Sequence, residues 1–177
     1  MTPNGISPAS SGPAGSLFEG QVGAFYLLSL LTGTEPRGLP GTTINLVAFQ
    51  RAPEGRPLHD VIVHAHDMRG TRAVKVLEIQ VKRSITFAPA DEVFRKVVGQ
   101  IVLASQRPDF WTTRYELAIA TARTSQKIDG AYQDVLTWAQ QIGDAPTFAA
   151  RSNRPGSANE DMRAFVRTFK SHLRDAG

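Results

Sequence analysis

The stretch LEIQVKRS, residues 77–84, places an acid, an amide and an amine at alternate positions: Glu78, Gln80 and Lys82. On a strand, alternate side chains share a face, so these three polar groups would stand side by side. Upstream, LHDVIVHAHD (residues 58–67) alternates in the same way, with Val61, Val63 and Ala65 at odd positions and Asp60, Ile62, His64 and His66 at even ones. The run MRGTR between the two stretches centres on Gly70 and predicts a hairpin. A loop of Arg69, Gly70 and Thr71 sets Asp60 opposite Gln80, and opposed Cβ atoms lie roughly 5 Å apart. Burial would fix that register, because a one-residue slip scatters Val61, Val63, Leu77 and Ile79 over both faces. An acid and an amide oxygen that converge beside a lysine suit a hard divalent cation, Mg²⁺ or Mn²⁺, which takes oxygen ligands. Such an ion activates water and stabilises charge on a phosphoryl group. The lysine would position the water or neutralise that charge. The chemistry expected of Asp60, Gln80 and Lys82 is therefore phosphodiester hydrolysis.

An acid on one strand and, across a hairpin, an acid or Gln, any residue and Lys on the next resembles the PD-(D/E)XK nuclease superfamily, the restriction-endonuclease-like fold. Here the elements are Leu58-His59-Asp60 and Gln80-Val81-Lys82. The resemblance covers roughly residues 16–125 in its order of helix, strand, hairpin, helix and strand. It departs from the family at two places: His59 stands where the name has Pro, and Gln80 where an acid is usual. A Gln occurs in some branches, among them nucleases at the N-terminus of bacterial antiphage defence proteins, and EIQVKRS is most similar to those. The resemblance implies that Lys82, Asp60 and Gln80 are catalytic and that the main-chain carbonyl of Val81 also binds metal. It further implies that Glu19 or Glu78 supplies the negative charge a neutral Gln80 lacks. Gln100 matches a place where related nucleases carry a polar residue; the residue alone reads equally as an exposed helix polar.

These residues need a scaffold. Residues 17–31 carry Leu17, Val22, Phe25, Tyr26 and Leu28 at helical spacing, behind a Ser16/Glu19 capping-box pattern. A strand is expected over residues 43–50, the hairpin over 58–83, and a helix over 91–106 with Asp91 near its N-cap. YELAIAT, residues 115–121, reads as a strand covered on both faces. Helices follow over 129–142 and 157–175, the last with an apolar stripe of Met162, Phe165, Val166, Phe169 and Leu173 and a Ser157/Glu160 cap. The expected fold class is α/β, a mixed central sheet flanked by helices, with a restriction-endonuclease-like core. Residues 1–15, rich in Ser, Pro, Gly and Ala, read as a flexible tail before one domain over 16–177.

The composition bounds the function. The chain has 177 residues and no cysteine, which excludes disulfides, thiolate metal sites and a cysteine nucleophile. The net charge of +4 suits a nucleic-acid partner without requiring one. No run approaches the roughly 18 apolar residues that span a bilayer, and the N-terminus lacks the pattern of a signal peptide. The expectation is a cytoplasmic protein with no membrane partner. Arg69, Arg72, Arg83 and Lys96 are candidate phosphate contacts. His64 and His66 share the site face, but no third ligand stands out, and an ordinary hydrogen-bonded histidine is the expectation.

The leading expectation is a metal-dependent endonuclease cutting duplex DNA, the effector module of a larger antiphage protein. Oligomerisation, or sensor domains elsewhere in that protein, would control it. Gln80 keeps open a module that binds nucleic acid or a partner chain without cutting, and RNA stays open as a substrate. The plainest alternative makes Glu78, Gln80 and Lys82 a solvated sheet face.

Overall fold

A computed structural model describes residues 12–51, 55–68 and 74–177. The order is helix α1 (Gly12–Thr32), strands β1 (Thr42–Phe49), β2 (Val61–Asp67) and β3 (Val74–Val81), helix α2 (Glu92–Ser105) and strand β4 (Arg114–Ala120). A π-helical turn (Lys127–Tyr132) then runs into α3 (Gln133–Ile142), followed by α4 (Ala145–Asn153) and α5 (Glu160–Ala176). The class is mixed α/β. Among the described residues, those up to Ser84 together with Gln100–Ala122 form one compact unit, and Ile85–Gly99 with Arg123–Gly177 form another. No helix among the described residues is long and apolar enough to cross a membrane.

The first unit holds a four-stranded sheet in the order β1-β2-β3-β4, antiparallel except for the β3–β4 pair. The β2–β3 register pairs Val61 with Ile79 and Val63 with Leu77, as expected from the alternation. Val61, Val63, Ala65, Leu77, Ile79 and Val81 then form one core with Tyr26, Leu39 and Ile44. Each of the Val, Leu and Ile side chains contributes about 1.5–3 kcal/mol when fully buried, so a slipped register would forfeit several of these contributions at once. β1 departs from strict alternation at Asn45, where a bulge lets Ile44 and Val47 serve the same core.

Helix α1 covers this core through Phe18, Val22 and Tyr26. Its close seat on β1 needs Gly23, since a Cβ there would collide with the Phe49 ring. The helix begins at Gly12, so residues 12–15 of the expected tail are helical, and residues 1–11 lie outside the described residues. Pro13 suits a first helical turn, where its missing N–H has no partner to lose. Ser16 consequently lies inside the helix, and the Ser16/Glu19 capping box does not form. Strand β4 is only partly buried along its length. It lies at the edge of the sheet, which corrects the expectation of cover on both faces.

In the second unit Phe94 is fully buried and packs against Phe87, Phe165 and Phe169, while Tyr132 stacks on Phe165. Asp91 caps α2 as expected, accepting from the N–H groups of Val93 and Phe94. Helix α5 is capped by Asn159, whose side chain accepts from Met162 N at 2.9 Å, and not by Ser157 with Glu160. Helix α4 was not expected from the sequence, though Asp144 caps it and Pro146 sits in its first turn.

Candidate active site

Asp60 lies just before β2, Gln80 and Val81 end β3, and Lys82 follows. The structure brings all four together. Asp60 is 5% exposed and Gln80 2%, so this part of the polar face is not solvated. The Gln80 side-chain amide donates to Asp60 Oδ2. The Val81 main-chain N–H donates to the same oxygen at 2.7 Å, and Lys82 Nζ stands 3.7 Å from it. Asp60 Oδ1 lies 3.4 Å from His59 Nδ1. The main-chain N–H of Lys82 donates to Ala120 O at 2.8 Å, which ties the lysine's backbone to β4.

Glu19 reaches the same neighbourhood from α1. Burial pushes its carboxyl pKa up, and the negative charge of Asp60 pushes it further, against the opposing influence of Lys82 and His59. Gln50 holds it in place, donating from Nε2 to Glu19 Oε2 at 3.1 Å. Gln50 adopts a left-handed backbone with φ 53°, uncommon for a residue other than glycine. Nothing in the sequence marks Gln50; its role appears only once α1 and the end of β1 are placed.

The oxygen atoms of this group can be tested against a cation. Gln80 Oε1 is buried and has no hydrogen-bond partner among the described residues. A buried, unspent amide oxygen is uncommon; the nitrogen of the same amide group is the one that faces the Asp60 carboxylate, which has Glu19 in electrostatic range. Such a donor set, all oxygen, fits a hard divalent ion. Among the described residues no three of His, Cys, Asp and Glu cluster closely enough to share a metal. A cation here would therefore depend on the amide oxygen of Gln80.

Glu78 has a different set of partners. It is 0% exposed, and its Oε1 accepts from Arg56 Nη1 and Arg107 Nη1, each at 2.9 Å. Arg107 also donates to Asp109 Oδ2 at 2.6 Å, and the Tyr115 hydroxyl donates to that oxygen at 2.8 Å. Arg56 donates to the Tyr115 hydroxyl. Oε1 is thus committed to two guanidinium groups, while Oε2 is buried with no hydrogen-bond partner among the described residues. Burial of Glu78 makes such partners obligatory, a rule that could have pointed to Arg56 and Arg107; Asp109 and Tyr115 left no sequence signal.

The remaining candidates spread out. His64 is half-buried and its pKa is lowered, first by burial and then by Arg56 and Arg51; His66 is exposed. Arg83 is exposed beside Lys82, Lys96 belongs to the other unit, and Arg69 and Arg72 lie outside the described residues. Gln100 is half-buried, not exposed, and donates to Pro57 O at 2.9 Å, bracing the segment that leads to Asp60.

No family model, no curated protein and no solved structure matches the chain.

Proposed function

We propose that the chain is a metal-dependent endonuclease of the PD-(D/E)XK kind, with Gln in place of the second acid, hydrolysing DNA phosphodiester bonds. The observation that carries this reading is the convergence of Asp60, Gln80 and Lys82 at one end of the hairpin, with a buried amide oxygen of Gln80 left unspent. Asp60, Gln80, the Val81 carbonyl and Glu19 would hold Mg²⁺ or Mn²⁺. When bound, the ion supplies Lewis-acid activation of the phosphodiester and of water. Lys82 contributes a positive charge fixed close to Asp60 and 30% exposed in its side chain. That charge can meet a phosphate oxygen and stabilise the negative charge that develops on it. Gln50 keeps Glu19 turned toward this group. Glu78 holds Arg56 and Arg107 and takes no part in metal binding on this reading.

The likeness of EIQVKRS to antiphage effectors supports a place for the chain as the nuclease module of a larger cytoplasmic defence protein. Sensor or oligomerisation domains would then govern its access to duplex DNA. The direct test incubates the protein with plasmid, duplex oligonucleotide and RNA, in Mg²⁺, Mn²⁺ or EDTA. Metal-dependent cutting of the DNA substrates supports the reading, and cutting of RNA alone moves it to a ribonuclease. A second reading has its own observation. The Gln80–Asp60 hydrogen bond satisfies the carboxylate without any cation, as it would in a nuclease-fold module that binds nucleic acid or a partner chain and does not cut. Binding without cleavage of any substrate would favour it.

A further inference from the structure

The second unit carries a groove along α5 of about 650 Å³, inside the roughly 300–1,000 Å³ range of small-molecule sites. Arg95, Arg167, Lys170 and Arg174 line it, against one acid, Asp175. Arg167 is engaged, donating to Glu160 at 2.6 Å. Arg95, Lys170 and Arg174 are exposed, and no ion pair among the described residues occupies them. The groove therefore presents unneutralised positive charge.

Exposed basic residues alone would be ordinary surface chemistry. His172 distinguishes this groove. It lines the same groove, is only 3% exposed, and lies edge-on to Phe94 with ring centroids 5.4 Å apart. Neither of its ring nitrogens has a hydrogen-bond partner among the described residues. An imidazole always carries at least one N–H donor, and a buried polar group left unpaired costs about 1–3 kcal/mol. The core packing of α5 explains Met162 and Phe165 and uses the ring of His172, about two turns further along the buried stripe, but gives no use for its nitrogens.

We propose that this groove binds a phosphate group. Arg95, Lys170 and Arg174 would supply its charge, and the His172 N–H would be its buried donor. A phosphate offers several strong acceptor oxygens to a cluster that has donors in excess, and guanidinium groups match its geometry. The same chemistry is presented by a free phosphate or phosphorylated small molecule and by a nucleic-acid backbone. The inference concerns the second unit and stands whether or not the first unit cleaves DNA.

The test follows the histidine imidazole signals of the full chain by NMR while inorganic phosphate or a duplex oligonucleotide is added, with sodium chloride at matched ionic strength as control. The chain has 4 histidines, so His172 is assigned by elimination with His59→Gln, His64→Gln and His66→Gln. The expected result is a saturable shift of the His172 signal. In a Lys170→Gln/Arg174→Gln variant with unchanged melting temperature, the midpoint should weaken by about tenfold or more. Saturation by inorganic phosphate identifies a small-phosphate site, and saturation by the duplex alone identifies the nucleic-acid backbone. No saturable shift with either probe, or an unchanged midpoint in the double variant, overturns the proposal.

Discussion

Asp60 Oδ2 accepts from two successive residues of β3, the side-chain amide of Gln80 and the main-chain N–H of Val81. A carboxylate gripped by backbone and side chain at once cannot rotate freely, so the hairpin register itself orients it. The orientation explains why function and stability should be separable at this residue. Replacing Asp60 by Asn should abolish cleavage by removing the charged oxygen, while its amide oxygen can still accept from Val81. Asp60→Ala should abolish cleavage as well, and should also lose about 1–3 kcal/mol of stability because two buried donors lose their acceptor. Thermal melts alongside plasmid nicking check both outcomes; a melting temperature that falls equally in the two variants would show that the charge and not the shape is holding the strands.

Lys82→Ala should lower cleavage by about 10²–10³-fold, the scale of losing one preorganised charge at a transition state. Affinity for duplex DNA should change little, since one charge among many basic residues adds modestly to backbone attraction. Gel-shift and cleavage assays on the same preparation measure the split. Equal losses of binding and cutting would make Lys82 an ordinary phosphate contact.

The pH behaviour of Glu19 gives an independent readout. Its pKa is raised by burial and by Asp60, so the folded protein holds this proton more tightly than the unfolded chain does. That contribution favours the fold below the ordinary glutamate range and is lost as pH rises through the raised value. Glu19→Gln, which can still accept from Gln50, should therefore raise the melting temperature at neutral pH, with the difference vanishing below about pH 4. The same variant should reduce cleavage and blunt any stabilisation by Mg²⁺.

Glu78→Gln should destabilise the protein by about 3 kcal/mol, because Arg56 and Arg107 lose a buried counter-charge. The loss should be the same in Mg²⁺ and in EDTA. A loss confined to Mg²⁺ would return Glu78 to the metal site.

Much of this arrangement was legible in the sequence. Alternation in residues 58–67 and 73–83 was enough to sort Val61, Val63, Leu77 and Ile79 from Asp60, Glu78 and Gln80, because a one-residue slip would expose half the core. The partners of Glu78 were not legible. Arg56, Arg107, Asp109 and Tyr115 come from loops and β4 and meet only when the sheet forms, and no local pattern encodes that meeting. Gln50 escaped for the same reason. Helix α1 begins earlier than expected because the run GPAG, though typical of a tail, is compatible with a first helical turn. The apolar centre of β4 suggested full burial, yet edge position is a property of strand order, which residue periodicity alone does not give.

The central claim is that Gln80 serves as a metal ligand and not merely as a hydrogen-bond partner of Asp60. The measurement that tests it most directly compares wild type, Gln80→Glu and Lys82→Ala on plasmid DNA across a Mg²⁺ titration, with the oligomeric state of each preparation checked. The account predicts Mg²⁺-dependent cutting by wild type, cutting by Gln80→Glu at lower Mg²⁺ because a charged oxygen replaces a neutral one, and cutting lowered by about 10²–10³-fold in Lys82→Ala. The contradicting result is that wild type and Gln80→Glu both bind DNA yet neither cuts at any Mg²⁺ concentration.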